Sequence, residues 1–182
     1  MKCFKLLAVI LFFIALIGCK DVEKRVFFDE SDQYIGFNDA DYELTVKECI
    51  KSGFFVRIGL NEIKNRKVLE EFIKDSSKGK DSYIRMAYFD VDNNDKLYYK
   101  DLIYTEEGYS IFSDEHKLFN KDPYKHLLVL DYNSGIPSEE KQMVVLADNN
   151  TITYKKIMSI MLSSLHDPTN RVNRYDIATF NY

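Results

Sequence analysis

Apolar and polar positions follow several distinct periods along this chain, and each change of period marks an element. Leu6 to Ile17 is unbroken apolar, with Lys2 and Lys5 before it and Lys20, Asp21, Glu23, Lys24 and Arg25 after it. A spanning helix needs about 20 apolar residues, so this shorter run has the length of a signal-peptide core. Residues 20–39 are charged and lack a clean period, which is the character of a tether. Phe27, Phe28, Tyr34 and Phe37 within it suit an extra edge strand packed on the domain that follows.

From Ala40 to Lys51 the apolar spacing of Tyr42, Leu44, Val46, Cys49 and Ile50 predicts a short helix stopped by Gly53. Phe54 to Ile58 predicts a strand. Val68, Leu69, Phe72 and Ile73 share one face at a 3.6-residue period, which predicts a helix over residues 65–78. Asn65 is its expected N-cap and Gly79 its stop. Strands follow. Residues 82–90 (SYIRMAYFD) and 96–105 (KLYYKDLIYT) are rich in aromatic and aliphatic side chains, and VDNND between them is hairpin chemistry. Glu106 to Gly108 is the next turn and Tyr109 to Phe112 the next strand.

After an irregular polar stretch, residues 126–132 (HLLVLDY) and 143–148 (MVVLAD) predict two strands joined by the loop NSGIPSEEK. Ile157, Ile160, Met161, Leu162 and Leu165 predict a further amphipathic helix, capped by Asn150 or Thr151 and ended by Asp167-Pro168. The tail to Tyr182 reads as a short strand or a loop. The order of elements predicts an α+β fold. The expected architecture is an antiparallel sheet of about five to six strands, with two or three helices on one face, in a single domain over residues 40–182.

Composition agrees with a globular body. Of 182 residues, 46% are hydrophobic and 30% charged, with only 3 Pro and 7 Gly. The formal charge is -4 and becomes more negative if Lys2 and Lys5 are removed. An acidic chain without a clustered basic face excludes nucleic acid as an expected partner. It also gains little attraction to anionic lipid, so attachment to a membrane needs another source.

Leu16-Ile17-Gly18-Cys19 supplies that source. The four residues resemble the lipobox of bacterial lipoproteins, with an aliphatic residue, a second aliphatic one, a small residue and cysteine. The resemblance implies removal of residues 1–18 between Gly18 and Cys19, and lipidation of the Cys19 sulfur, leaving residues 19–39 as lipidated N-terminus and tether. Two or three acyl chains hold a protein on a bilayer, whereas one holds only marginally. A second resemblance lies in the body of the chain. Leu69 to Phe72, Gly79-Lys80, Ile84-Arg85 and the strand from Lys96 to Tyr104 resemble a family of small lipoproteins of bacillus-type Gram-positive bacteria that carry a domain of unknown function. It covers residues 65–114, implies location and fold, and implies no activity. Such proteins often carry a late cysteine pair, which this sequence lacks.

Candidate chemistry is sparse. With Cys3 removed and Cys19 lipidated, Cys49 stands alone and reads as a small buried hydrophobe on a helix face. Asp90, Asp92, Asn94, Asp95 and Asp101 follow the opening of a calcium-binding EF-hand loop. However, Asp95 stands where the turn needs Gly, Asp101 stands where a bidentate Glu belongs, and the flanks read as strands. A hairpin turn is the better account, with a weak calcium site as the alternative. Ser138 and Lys141 match S-x-x-K without its partner motifs, and His116, His126 and His166 lack metal-site spacing. The load of 13 Tyr and 13 Phe reads mostly as sheet and core, with Tyr98, Tyr99 and Tyr104 as a candidate binding face. No pattern asks for a cofactor. The expectation is a membrane-anchored extracytoplasmic module that binds a protein, a peptide or a wall component and is not an enzyme. An unrecognised hydrolase is the remaining alternative.

Overall fold

The period-two stretches of the sequence become strands and the 3.6-period stretches become helices in the computed structural model. It describes residues 27–31, 33–60, 62–91, 96–115, 118–119, 122–162 and 173–181. Gly18 and Cys19 therefore lie outside the described residues. The chain divides into two units, residues 1–36 and 37–182. In the first, the Asp29 carboxylate accepts hydrogen bonds from the backbone N–H of Ser31 and Gln33 at 2.8 and 2.9 Å. Phe28 and Tyr34 pair with one another across that turn as an isolated antiparallel bridge.

The second unit opens with helix α1 (Val46–Lys51). It is shorter than the apolar spacing suggested because Thr45 and Glu48 form a capping box that starts it late. Gly53, at φ 82°, ends it. Strands β1 (Phe55–Ile58) and β2 (Glu62–Lys64) come next, then helix α2 (Arg66–Ser76), β3 (Ser82–Asp90), β4 (Lys96–Thr105), β5 (Gly108–Ser113) and β6 (Leu118–Phe119). The Asn65 side chain does not cap α2. Its amide instead donates to the Phe54 carbonyl at 2.8 Å, tying the helix start to β1. Strands β7 (His126–Ser134) and β8 (Glu139–Ala147) reach further into the expected loop, leaving a turn at residues 135–138. Helix α3 (Tyr154–Leu162) is capped by Thr153, whose hydroxyl accepts from Lys156 N, while Thr151 turns onto Asn149. The expected stop at Asp167-Pro168 lies outside the described residues. The tail is a full strand, β9 (Arg174–Asn181).

The fold is α+β, with two differences from the single antiparallel sheet expected. The strands form two sheets, in the orders β2-β1-β3-β4-β5-β6 and β7-β8-β9. The first is mixed, because β1 runs parallel to β3 while its other pairings are antiparallel. The parallel pair follows from α2, which carries the chain back over the sheet between the two strands. The helices also do not share one face. Cys49 of α1 packs with Val56, Ala87, Phe89, Leu97 and Tyr99 on one side of the larger sheet. Leu69 and Phe72 of α2 pack on the other side with Phe55, Met86 and Leu102, where Val144, Leu146 and Ile177 of the smaller sheet join them. Ile157 of α3 covers the outer face of the smaller sheet against Val145 and Ala147. Strand alternation explains the layering. Val144 and Leu146 point inward while Val145 and Ala147 point out, and both sets are buried. Among the described residues no helix is long and apolar enough to cross a membrane.

Candidate binding site

Successive residues of β4 point to opposite faces of the larger sheet, and this splits the tyrosines expected to act together. Tyr99 is 1% exposed on the α1 side. Its hydroxyl donates to the Asp41 carbonyl. Tyr98 and Tyr104 lie on the other side, with Lys100 between them. Tyr104 packs on Tyr109 with ring centroids 4.6 Å apart.

Tyr98 has different company. In the register of the hairpin it stands opposite Tyr88, and Arg57 of β1 stands on the other flank of Tyr88. The Tyr88 and Tyr98 rings stack at 5.2 Å with planes 16° apart. The Lys100 ammonium lies 4.5 Å from the Tyr88 centroid, 5.5 Å from that of Tyr98 and 5.6 Å from that of Tyr175 on β9. The Arg57 guanidinium lies 5.8 Å from the Tyr88 centroid. Ring quadrupoles attract both cations. The Tyr88 hydroxyl reaches across to the smaller sheet and donates to the Ile177 carbonyl at 3.3 Å. Tyr88 is buried, whereas Tyr98, Lys100, Arg57 and Tyr175 are half-buried at the rim of the interlayer core.

Burial dominates the electrostatics of this cluster. It lowers the affinity of Lys100 for its proton, with the field of Glu115 opposing that shift. It pushes Tyr98 and Tyr175 up to about 12, with Glu115 adding to the rise. Both phenols therefore stay neutral donors at physiological pH. Burial raises Tyr88 further still. Among the described residues neither Lys100 nor Arg57 has a carboxylate within ion-pairing distance.

The five residues expected to form a calcium loop are not brought together in the described part of the structure. Asp92, Asn94 and Asp95 lie outside the described residues. Asp90 ends β3 opposite Lys96, and Asp101 stands opposite Arg85. Five residue steps of extended strand from Lys96 to Asp101 set the two backbone positions roughly 17 Å apart along the sheet. Asp101 is fully buried and spends both oxygens on Arg85, whose Nε and Nη2 donate at 2.8 and 2.7 Å. Tyr83 donates a third hydrogen bond at 3.2 Å. The Arg85 guanidinium lies 5.4 Å from the centroids of both the Phe37 and the Tyr99 rings. Among the described residues no group of three or more His, Cys, Asp or Glu side chains is placed to hold a metal ion.

The other candidates disperse. Cys49 is fully buried and its thiol is pushed up by that burial. His126 sits on β7, while His116 and His166 lie outside the described residues. Ser138 is in the β7–β8 turn, and Lys141 pairs with Glu139 at 3.6 Å. Lys141 also lines an open hollow of about 300 Å³ with Asp131, Tyr132, Asn133 and Glu140. Sequence reasoning missed Arg57, Tyr88, Lys100 and Tyr175. Pairing the two strands about VDNND would have placed Tyr88 opposite Tyr98, but nothing local to the sequence brings Arg57 or Tyr175 to them. No family model, no curated protein and no solved structure matches the chain.

Proposed function

We propose that this protein is a lipid-anchored, extracytoplasmic binding module, tethered to the membrane through Cys19 and performing no chemistry of its own. The observation that carries the reading is Leu16-Ile17-Gly18-Cys19, at the junction of a short apolar run and a charged segment. The tyrosine-lined cluster around Lys100 supports a binding role, since it gathers half-buried aromatic and cationic groups at one rim of the core. The partner is a protein, a peptide or a wall component that passes within reach of an anchored domain.

Metabolic labelling with a palmitate analogue tests the anchor. The expected result is label on the wild-type chain and none on a Cys19→Ala variant; label retained by that variant would sink the reading. Photo-crosslinking from intact cells tests the binding role separately. A probe beside Tyr98 should capture a saturable partner that a probe on the exposed α2 residue Lys67 does not.

A further inference from the structure

Arg57 and Lys100 face the same tyrosine ring, and this arrangement calls for a third component. Other arginines of this unit are held against carboxylates: Arg85 with Asp101, Arg66 with Glu70 and Arg174 with Asp176. Arg57 and Lys100 have no such counter-charge among the described residues. The fields of Glu115 and Asp114 reach Lys100, yet neither group is within ion-pairing distance of it. Arg57 is also not free to swing away. Its Nε and Nη2 donate to the carbonyls of Gly59 and Leu60, both at 3.1 Å, which pins the guanidinium beside Tyr88. Like charges gathered at a half-buried rim repel one another and lose hydration, and an anion between them relieves both costs.

We propose that Arg57, Lys100, Tyr98 and Tyr175 form a binding site for an oxyanion, a carboxylate or phosphate group carried on a larger ligand. The donor set points to oxygens. A planar guanidinium, an ammonium and two phenolic hydroxyls offer hydrogen bonds from several directions, which suits a group with two or three oxygens. The Tyr98 and Tyr175 hydroxyls have no hydrogen-bond partner among the described residues and so remain available to a ligand. The Tyr88 hydroxyl, engaged with Ile177, fixes the floor of the site. This inference rests on the binding-module reading and names the chemistry of its ligand.

Three probes with one pyranose ring separate the alternatives: glucuronate, glucose 6-phosphate and uncharged glucose. They are titrated into the full chain in a non-ionic detergent, and the NMR signals of ring-labelled Tyr98 and Tyr175 are followed. The expected result is saturable shifts with one or both charged probes, weakening as salt is added, and no shift with glucose. Response to glucuronate alone assigns a carboxylate ligand, response to the phosphate alone assigns a phosphate ligand, and response to both supports the shared oxyanion chemistry. Lys100→Met keeps the side-chain stem and removes the charge, and should weaken binding roughly tenfold or more, while Lys100→Arg retains most of it. The melting transition of each variant establishes that it is folded, and Arg57→Met gives an independent second test. Charged probes that bind no better than glucose, or bind Lys100→Met as tightly as the wild type, overturn the proposal. Glucose binding as well as the charged probes would refute the oxyanion and leave the binding-module reading standing. That reading instead falls if crosslinking from cells yields no saturable partner.

Discussion

Lys100 and Asp101 are neighbours in sequence, and a single step along β4 gives them opposite situations. Asp101 turns toward α1, is fully buried, and is neutralised by a bidentate Arg85. Lys100 turns toward the smaller sheet, where its ammonium lies over the rings of Tyr88, Tyr98 and Tyr175. Removing one member of a buried ion pair strands the other, at a cost of about 3–5 kcal/mol. Arg85→Met should therefore lower the free energy of unfolding by about that amount in urea titration. The double variant Arg85→Met/Asp101→Leu should recover much of the loss, because no buried charge is left unpaired. Lys100→Met should leave stability unchanged or raise it, since it removes a desolvated charge that has no ion-pair partner among the described residues.

Asp114 adds a pH dependence at the same scale. Its carboxylate accepts from Tyr99 N at 2.9 Å, yet burial raises its pKa above the ordinary 3.8, against the lowering effect of the nearby Tyr42 hydroxyl and of the Tyr99 hydrogen bond. A raised carboxyl pKa means the folded chain holds the proton more tightly than the unfolded chain. Its contribution is fully present below the unfolded value and is lost as pH rises through the folded value. Asp114→Asn should accordingly gain stability relative to wild type as pH climbs from 3.8 toward neutrality, read from denaturation midpoints at each pH. A parallel pH course in the two proteins would remove this account.

At the scale of elements, helix α1 has 6 residues and depends on its ends and on packing, because isolated helices so short do not persist in water. Its capping box closes with Glu48 N donating to the Thr45 hydroxyl at 3.4 Å and Thr45 N donating to the Glu48 carboxylate at 2.9 Å. Thr45→Ala should destabilise the protein by about 1 kcal/mol and increase amide exchange in α1 before the rest of the fold. The elements were also where the sequence was most readable. The β3–β4 hairpin and α2 appear within a residue or two of where alternation and periodicity place them. The misreadings have local causes. Asn65 carries N-cap chemistry but spends its amide on Phe54, and Thr153 rather than Asn150 or Thr151 caps α3. β2, with 3 residues, is too short to show a period at all.

Across the whole second unit, the two sheets share one core in which Phe55, Leu102, Val144, Leu146 and Ile177 are all but inaccessible. Ile177 is fully buried and its carbonyl also receives Tyr88. Ile177→Ala should cost about 2–5 kcal/mol, measured as a shift of the single cooperative unfolding transition. If the two sheets instead unfold in separate steps, the shared core does not couple them. The candidate site belongs to this scale, since its groups come from β1, β3, β4 and β9, and only the meeting of the two sheets brings Tyr175 to Lys100.

Sequence alone determined the α+β class and the order of the longer strands and helices, because these depend on local periodicity. Tertiary structure alone decided that the strands divide into two sheets, that β1 runs parallel to β3, and that helices cover different faces. It also placed Asp101 as an internal counter-ion to Arg85, five residue steps along β4 from the residue opposite Asp90. Those outcomes depend on which strand pairs with which and which face meets which, and pairings between residues far apart in the chain leave no period in its sequence.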